Sequence, residues 1–412
     1  MPVPANPMKE LFLLDPEVTF LNHGSFGACP IPVFESYQRW QRELEWQPVE
    51  LLGRRIDDLL ATVREEIGAY LNCPPDSVVD IMNSTWGVNL IIRSLELEEG
   101  DEVLTTNHEY GACTMAWDWL LNKMGARLVR HDIPLPVTSQ EEIVESMWSQ
   151  VTERTKAIFL SHITSPTAIT FPVEQICQRA REAGILTIVD GSHAPGQIPL
   201  DMDALGVDVY TGNFHKWLCS PKGSAFLYVR PEEQGWVESL IISWGWGRHG
   251  VLEPSTFVQR NEWQGTRDPS AFLAVPDAIK FQAEHDWPSV RARCHELARE
   301  TRQRIADFSG CDPIHPDSPE WYAQLVACPV RTSNPQELKQ RMYDDYRVEA
   351  PITSWGGLDM VRVSYQGYND RDDLERLMTA IEALTERGPR RSISVDRAIG
   401  DRQPAPSPAP AT

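Results

Sequence analysis

The sequence predicts an α/β protein built on a mostly parallel sheet, with a smaller α+β domain towards its C-terminal end. From Asp76 onward, apolar runs of strand length alternate with stretches of helical period. The run at residues 185–190 is almost continuously apolar, as expected for a strand that is buried on both faces. After Tyr322, short strands and helices are mixed, which is typical of an α+β unit.

The elements of the predicted large domain follow in chain order. Residues 31–71 carry apolar side chains at helical spacing and are predicted to be mainly helical. Helices are also predicted from about Thr85, at 112–124 and at 173–182. Strands are predicted at residues 78–82, 102–105, 126–133, 156–163, 185–190, 207–211 and 224–229. Strands separated by helices of this length imply a sheet that is covered on both faces.

The C-terminal part has its own elements. Residues 277–308 are predicted to form one long helix, followed by strands at 325–329 and 360–364 and helices at 336–341 and 370–384. The end of the chain, with its alternating Pro and Ala, cannot bury enough apolar surface to fold. The predicted organisation is an N-terminal arm (1–30), a large domain (31–275), a small domain (276–388) and a disordered tail (389–412).

Composition excludes several classes of protein. The 412 residues include 38 Lys and Arg against 59 Asp and Glu, a formal net charge of −21, whereas a nucleic-acid partner requires a positive field. The apolar runs are far shorter than the roughly 20 residues that span a bilayer, so no membrane partner is predicted. The eight cysteines are scattered without a CxxC pair, which disfavours a disulfide scaffold or a zinc site. We expect a cytoplasmic protein with buried or free thiols and no metal.

One motif is a poor match to its usual function. Residues 245–250 match GxGxxG and follow a strand-like run at 240–243. A dinucleotide site would require a helix to begin there, but the residues that follow have no helical period. We therefore expect a glycine-rich loop, and from their position Trp244, Trp246 and Arg248 are candidates for lining a substrate pocket.

A stronger signal comes from polar residues at strand ends. Asp190 ends a buried parallel strand, and Lys216 follows another strand 26 residues later. The segment 83–87, Asn-Ser-Thr-Trp-Gly, lies between a strand and a helix and offers hydroxyl and N–H groups suited to a phosphate. Because α/β folds place their sites at the carboxyl ends of strands, these groups are expected to face one ligand.

Pyridoxal 5′-phosphate uses all three of these groups. Its aldehyde requires a lysine, its pyridinium nitrogen requires a carboxylate, and its phosphate requires donors. Taken singly, Asp190 is an ordinary turn residue, Lys216 a solvated lysine and Thr85 a helix N-cap. Their occurrence together and in this order favours the cofactor.

These residues resemble the class V aminotransferase family of fold type I pyridoxal-phosphate enzymes, and within it the isopenicillin N epimerase-like branch. The resemblance rests on segments 189–196 (VDGSHAPG) and 212–217 (GNFHKW), and it spans about residues 15–385. Supporting segments are 21–27 (LNHGSFG), 108–112 (HEYGA), 264–268 (QGTRD) and 362–364 (RVS). It implies a fold type I transferase architecture with pyridoxal phosphate as cofactor.

The resemblance also implies roles around the cofactor ring. Lys216 would form the Schiff base, and Asp190 would partner the pyridinium nitrogen. His193 would neighbour the phenolic oxygen, a contact that Ser165 would share. Tyr110 would stack on the pyridine ring, with His108 as the competing candidate. The alternative for His193 is a hydrogen-bonded core histidine.

The remaining implied roles concern the phosphate, the partner subunit and the substrate. The phosphate-side residues are Thr85, Trp86, Asn213 and His215, with Thr266 reaching the phosphate from the partner of a homodimer. For a small-molecule amino-acid substrate, Arg362 would clamp the α-carboxylate and Asn22 would lie nearby. A structural ion pair is the alternative for Arg362, core packing for Tyr110 and a core histidine for His215.

The reaction depends on the group opposite Lys216. Epimerisation or racemisation at Cα needs a proton delivered to that face, by Tyr110 or His108. β-Elimination from a cysteine conjugate needs an acid for the leaving sulfur, a role also open to Tyr110. No cysteine follows Cys328, which disfavours a desulfurase. We predict an epimerase-like enzyme, with a carbon–sulfur β-lyase and then an aminotransferase as alternatives; a protein that only binds the cofactor is disfavoured.

Overall fold

A computed structural model describes residues 6–247 and 256–389 of the chain. The strands are β1 (Thr19–Phe20), β2 (Val78–Ile81), β3 (Glu102–Thr106), β4 (Arg127–His131), β5 (Thr155–Ser161), β6 (Leu186–Asp190), β7 (Val209–Asn213), β8 (Ala225–Val229), β9 (Leu325–Val330), β10 (Val348–Glu349), β11 (Ile352–Trp355) and β12 (Leu358–Ser364). Of the expected disordered tail, residues 390–412 lie outside the described residues, as do residues 1–5 of the arm.

The helices cover both the predicted segments and several that were not predicted. They are α1 (His23–Phe26), α2 (Ile31–Trp46), α3 (Pro48–Glu50), α4 (Ile56–Leu71), α5 (Ser84–Ser94), α6 (Gly111–Met124), α7 (Gln140–Trp148), α8 (Val173–Ala183), α9 (Met202–Leu205), α10 (Trp244–Gly247), α11 (Thr256–Glu262), α12 (Ser270–Leu273), α13 (Val275–Glu284), α14 (Trp287–Ser309), α15 (Pro335–Tyr346) and α16 (Arg371–Leu384). A π-helical turn, Leu51–Arg55, joins α3 to α4.

The main sheet has seven strands in the order β2-β8-β7-β6-β5-β3-β4. The pairs β7–β6, β6–β5, β5–β3 and β3–β4 are parallel, whereas β8 runs antiparallel to both of its neighbours. The prediction of a mostly parallel sheet is therefore confirmed.

Helices cover both faces of this sheet. Along β5, Ile158 and Leu160 belong to one buried apolar cluster, whereas Ala157 and Phe159 belong to another. This alternation follows from the two-residue period of a strand. Both faces of the sheet are therefore apolar along β5, and the polar side chains of this strand lie at its ends.

Two smaller sheets lie outside the main one. Strands β11, β12 and β9 form an antiparallel sheet in that order, and β1 pairs in parallel with β10. The segment that contains Thr19 and Phe20 is therefore joined to the C-terminal part of the chain. The short strands β1, β10 and β11 were not predicted; the domain boundaries stay a prediction.

The sequence-based expectations for two segments of the chain are wrong. The segment 277–308 is not one helix: α13 ends at Glu284 and α14 begins at Trp287, with Asp286 between them in a left-handed conformation (φ +45°). Pro288 explains the break, because it is tolerated only in the first turn of a helix. The run 240–243 is not a strand, and Trp244–Gly247 form a helical turn rather than a loop. Residues 248–250 of the same motif lie outside the described residues.

Candidate active site

A cavity of about 350 Å³ opens at the carboxyl ends of the parallel strands. The register of the sheet brings these ends together, because Ser161 pairs with Asp190 and Asp190 with Thr211 on the next strand. The lining residues come from the sheet, the N-terminal segment and β12: Gly24, Ser25, Phe26, Asn83, Thr85, Tyr110, Ser161, Ile163, Ser165, Asp190, Ser192, His193, Asn213, His215, Lys216 and Arg362. Most of the residues predicted from strand ends are thus brought to one place.

Lys216 presents its amine to this cavity just beyond β7. Burial lowers the pKa of Lys216 from 10.5 to about 8; the nearby Asp190 carboxylate opposes this shift and the Arg362 guanidinium adds to it. The Nζ atom lies 3.4 Å from Nε2 of His193. A substantial fraction of the amine is therefore neutral near pH 8, which is the form that attacks a carbonyl carbon.

Asp190 is held at the end of β6 by its neighbours. Its Oδ1 accepts hydrogen bonds from the backbone N–H of Ser192 at 2.9 Å and from the Ser192 hydroxyl at 2.5 Å. Its Oδ2 accepts a weak bond from the Cys113 thiol at 3.6 Å. With Oδ1 occupied by Ser192, Oδ2 is the oxygen that remains for a cationic ligand.

His193 lies between two residues of the segment that follows β7. Its Nδ1 accepts a hydrogen bond from the indole N–H of Trp217 at 3.2 Å, and its Nε2 faces Lys216. Burial, with the positive charges of Lys216 and Arg362, depresses the pKa of His193 well below its usual value. The imidazole is therefore neutral, and it faces the cavity as well as packing in the core.

The expected phosphate side of the cavity lies at the start of α5. Asn83 caps this helix through Oδ1, which accepts from Trp86 N–H at 2.9 Å. Asn213 Oδ1 accepts from Ser84 N–H at the same distance, so its amide N–H groups remain available. His215 donates from Nδ1 to the Ser224 carbonyl at 3.1 Å, which leaves its Nε2 free. Burial lowers the pKa of His215 to about 4.

Arg362 lies on β12 and reaches the opposite side of the cavity. Its Nη1 donates to the carbonyl and hydroxyl oxygens of Ser165 at 2.7 and 3.2 Å, and its Nη2 donates to the Ser25 hydroxyl at 3.1 Å. Its Nε is buried without a partner among the described residues. Burial lowers the pKa of Arg362 to about 10. Its partners in these hydrogen bonds are neutral, which favours an anionic ligand over the structural ion pair.

Tyr110 and His108 take different positions. Tyr110, at the start of α6, lines the cavity with its side chain 46% exposed. His108 is fully buried: its Nε2 donates to the Ile133 carbonyl at 2.8 Å, its Nδ1 bonds to Thr167, and its ring packs on Trp355. Of the two alternatives, the structure brings only Tyr110 to the cavity.

Three predicted residues do not line the cavity. The backbone N–H of Trp86 donates to Asn83, and the indole nitrogen of Trp86 is buried without a partner among the described residues. Thr266 is exposed on the loop after α11. Asn22 lies behind Ser25, whose hydroxyl donates to Asn22 Oδ1. Trp244 and Trp246 lie outside the lining as well, and Arg248 is outside the described residues.

Sequence reasoning also missed several lining residues. Ser161 ends β5, and the same strand-end rule that found Asp190 would have found it. Ser161 donates to the buried Glu109 at 2.6 Å, and burial raises the pKa of Glu109 to about 7. Ser25 and Ser192 sit beside the assigned residues Asn22 and Asp190, but no sequence signal distinguishes them from ordinary turn serines.

The donor set matches the chemistry of pyridoxal phosphate. The same cavity is lined by an amine and by a carboxylate that has one oxygen in hydrogen bonds and one oxygen remaining for a ligand. It is also lined by a helix N-terminus with nearby amide and imidazole groups. The guanidinium of Arg362 retains a buried Nε–H that has no partner among the described residues and is available to a substrate anion. No cluster of metal-ligating side chains occurs among the described residues. In the same part of the chain, none of the helices has the length and apolar character needed to cross a bilayer.

Comparison with known proteins identifies the family. Residues 33–377 match the family described as aminotransferase class-V. The chain is 34% identical over 391 residues to the isopenicillin N epimerase of Amycolatopsis lactamdurans, covering 92% of this chain and 98% of that protein. It is 28% identical over 409 residues to a probable chloroplastic L-cysteine desulfhydrase of Arabidopsis thaliana, covering 91% and 84%.

A solved structure supports the fold. The cysteine desulfurase CsdA of Escherichia coli superposes with a TM-score of 0.77 at 20% identity, covering 91% of this chain and 97% of that chain. At that identity the likeness concerns the fold alone, and it agrees with the predicted fold type I architecture. Together with the family match over most of its length, this shows that the chain belongs to the class V aminotransferase family of pyridoxal-phosphate-dependent enzymes.

Proposed function

We propose that this enzyme acts at the α-carbon of a free amino acid and epimerises it. The observation that carries the proposal is the pairing of Lys216 with Arg362 across one cavity. Lys216 offers an amine of lowered pKa, and Arg362 offers a buried guanidinium whose hydrogen-bond partners are neutral. An α-amino acid carries a carboxylate for the Arg362 guanidinium to bind and a Cα proton for the Lys216 amine to remove.

Several residues would hold the cofactor. Lys216 would bind its aldehyde, Asp190 its pyridine nitrogen and His193 its phenolic oxygen, while Thr85, Asn213 and His215 would face its phosphate. When bound, the cofactor serves as an electron sink that makes the Cα proton acidic. Asp190 Oδ2 contributes by holding a proton on the pyridine nitrogen, because Ser192 fixes the other carboxylate oxygen.

Lys216 and Arg362 have different roles towards the substrate. The Arg362 guanidinium binds the α-carboxylate and is itself held by Ser25 and Ser165, so the direction of Cα is fixed. The free amine of Lys216 removes the Cα proton as a general base. Because burial lowers its pKa to about 8, the amine is available as a base near neutral pH.

Epimerisation additionally needs a second proton donor, for which we propose the Tyr110 hydroxyl. Tyr110 lines the cavity, whereas His108 is committed to two hydrogen bonds in the core. The similarity to isopenicillin N epimerase over 92% of the chain supports the same outcome. The proposed substrate class is therefore an α-amino acid whose configuration at Cα is inverted.

A carbon–sulfur β-lyase is the second candidate. It needs the same Lys216 and an acid for the leaving sulfur, and the similarity to a protein named as a cysteine desulfhydrase favours it. A desulfurase has less support, since no cysteine lines the cavity. Cys113, which donates to Asp190, is buried and its thiol has a raised pKa. An aminotransferase is the third candidate.

The visible absorption of the protein tests whether Lys216 binds the cofactor. The purified protein with pyridoxal phosphate should be yellow, and Lys216→Ala should lose the visible absorption while Lys222→Ala retains it. Lys222 is a fair control because it lies six residues away and donates to the Gly27 carbonyl outside the cavity. A chain that takes up no pyridoxal phosphate would overturn the proposal.

A panel of amino acids in D₂O separates the reactions. Deuterium at Cα with inversion supports the epimerase, pyruvate production supports the lyase, and a keto-acid product with conversion of the cofactor to its amine form supports the aminotransferase. Tyr110→Phe should abolish inversion and preserve the colour. Unchanged inversion in that variant would remove Tyr110 from the proposed mechanism.

A further inference from the structure

His193 is held between two side chains of one short segment. Its Nδ1 lies 3.2 Å from Nε1 of Trp217, and its Nε2 lies 3.4 Å from Nζ of Lys216. His193 is 2% exposed and Trp217 is fully buried, so no solvent competes for the indole N–H. The Nδ1 atom of His193 therefore faces the core, and its Nε2 atom faces the cavity.

The indole N–H of Trp217 determines which ring nitrogen of His193 carries the proton. An indole N–H can only donate, so Nδ1 of His193 must accept. A neutral imidazole carries a single proton, which is then confined to Nε2. The ring is neutral because burial and two neighbouring cations disfavour its charged form.

Trp217 is itself fixed in place. A Cβ atom built on Gly24 would come within 3.3 Å of Trp217 Cζ2, which shows how closely the indole is enclosed. The Trp217 carbonyl accepts from Gln282 Nε2 at 2.8 Å, and its ring lies 5.2 Å from that of His23. The indole is therefore buried and packed against Gly24 and His23, with its N–H directed at His193.

We infer that Trp217 is a positioning residue that confines the proton of His193 to Nε2, the ring nitrogen that faces Lys216 and the cavity. Its consequence for catalysis rests on the proposed function, in which Nε2–H donates to the phenolic oxygen of pyridoxal phosphate. A donor at that position stabilises a negatively charged oxygen and disfavours the ammonium form of Lys216. The opposite tautomer would present a lone pair there and lose both effects.

NMR of the full chain labelled with ¹⁵N-histidine tests the tautomer directly. The protein has ten histidines, and His193 is identified as the imidazole signal that His193→Gln removes. In the cofactor-free protein we expect the Nε2–H pattern for His193, and in Trp217→Phe a shift towards the Nδ1–H pattern. A wild-type His193 with its proton on Nδ1, or a pattern that Trp217→Phe leaves unchanged, would overturn the inference.

A matched variant separates this effect from the loss of a buried indole. Trp287 is also buried, and its indole donates to the Gly196 carbonyl at 3.0 Å rather than to a histidine. Trp287→Phe should therefore leave the His193 pattern as it is in the wild type; the same change in both variants would contradict a specific role for Trp217. If Trp217→Phe fails to fold, the wild-type spectrum still decides the tautomer.

Cofactor affinity gives a second result. Loss of a donor to a charged oxygen should weaken pyridoxal phosphate binding about tenfold in Trp217→Phe. Unchanged affinity would contradict the proposed consequence for the cofactor. A wild-type chain that showed the Nε2–H pattern but bound no pyridoxal phosphate would overturn the proposed function and leave the tautomer assignment standing, so the two failures are distinguishable.

Discussion

Arg362 is the residue that we propose binds the substrate carboxylate. Its guanidinium is buried on β12 and held by the neutral oxygens of Ser25 and Ser165. A lysine keeps the charge but lacks the planar fork that binds a carboxylate through two parallel hydrogen bonds. Arg362→Lys should therefore raise the KM for the amino acid by roughly ten- to a hundredfold, the cost of one charged hydrogen bond.

Steady-state kinetics with the substrate identified in the D₂O panel measures this effect, and the visible spectrum checks that the cofactor is still bound. Arg293→Lys is the control, since Arg293 donates to the Gly367 carbonyl away from the cavity. A KM that does not change in Arg362→Lys would argue that the carboxylate binds elsewhere.

We propose that the pH dependence of cofactor loading follows the protonation of Lys216. Its pKa is lowered from 10.5 to about 8, and the neutral amine is the reactive form. The rate at which the cofactor-free protein takes up pyridoxal phosphate should therefore rise with pH and reach half its maximum near pH 8. Stopped-flow absorbance at a series of pH values measures the midpoint.

The Asp190 carboxylate raises the pKa of Lys216, against the effects of burial and Arg362. Asp190→Asn removes this negative charge and should move the midpoint of loading to a lower pH. A midpoint that rises or does not change in Asp190→Asn would contradict the effect of the Asp190 charge on Lys216.

The sequence predicts some residues of the site much better than others. Asp190 and Lys216 were found because strand ends of a parallel sheet converge at one edge, a rule that needs no knowledge of side-chain contacts. Ser25 and Ser165 reach Arg362 from segments more than a hundred residues apart. Such contacts depend on how β12 and the N-terminal segment pack, which no local pattern encodes.

At the scale of elements, a buried ion pair ties β2 to the loop that carries Thr266. Arg267 Nη2 lies 2.5 Å from Oδ2 of Asp80, whose side chain is completely buried. Loss of one partner leaves a buried charge without compensation. Arg267→Gln should therefore lower the free energy of unfolding by about 3 kcal/mol.

An exposed ion pair provides the matched control for this prediction. Arg304 and Glu375 lie 2.6 Å apart on the surface, and Arg304→Gln should cost less than about 1 kcal/mol. Urea unfolding of the full chain compares the two variants. Equal losses would contradict the larger cost that we expect for breaking the buried pair.

The same pair has a predictable response to pH. Burial raises the pKa of Asp80 from 3.8 to about 6 despite Arg267, so the folded chain holds this proton more tightly than the unfolded chain. The contribution of Asp80 to stability therefore falls as pH rises from about 4 to 6. The cost of Arg267→Gln should be smaller at pH 5 than at pH 7, because a protonated Asp80 needs no cation.

Elements differ in how well their sequence determines them. The long apolar runs of β5 and β6 were located to within a few residues, since both faces of these strands are buried. The break between α13 and α14 was missed, although Pro288 was a local signal for it. The two-residue strands β1 and β10 carry no pattern of their own and exist only because they pair with each other.

For the whole molecule, the homodimer that the family resemblance implies makes a specific prediction. Thr266 is exposed and lies outside the cavity of its own chain, as required of a residue that reaches the phosphate of a partner. Light scattering should give twice 46.7 kDa. Thr266→Val should weaken cofactor binding about tenfold, the value of one hydrogen bond to a charged group.

Mixing of two variants tests which subunit Thr266 serves. A dimer of one Lys216→Ala chain and one Thr266→Val chain contains one native site if Thr266 acts across the interface. Its cofactor affinity at that site should equal the wild-type value. If Thr266 acts within its own chain, or if the protein is a monomer, mixing should restore no native affinity.

The pairing of β1 with β10 has a consequence for the order in which the protein assembles during synthesis. Thr19 leaves the ribosome more than three hundred residues before its partner Val348. Ser25 follows β1 closely, and Arg362 follows β10, so the contact between them forms only after both strands have been made. A nascent chain that has completed the seven-stranded sheet therefore already carries Lys216 and Asp190 but not yet Arg362, the proposed binding group for the substrate carboxylate. On the proposed function, competence to bind substrate is therefore acquired only after β12 has been made.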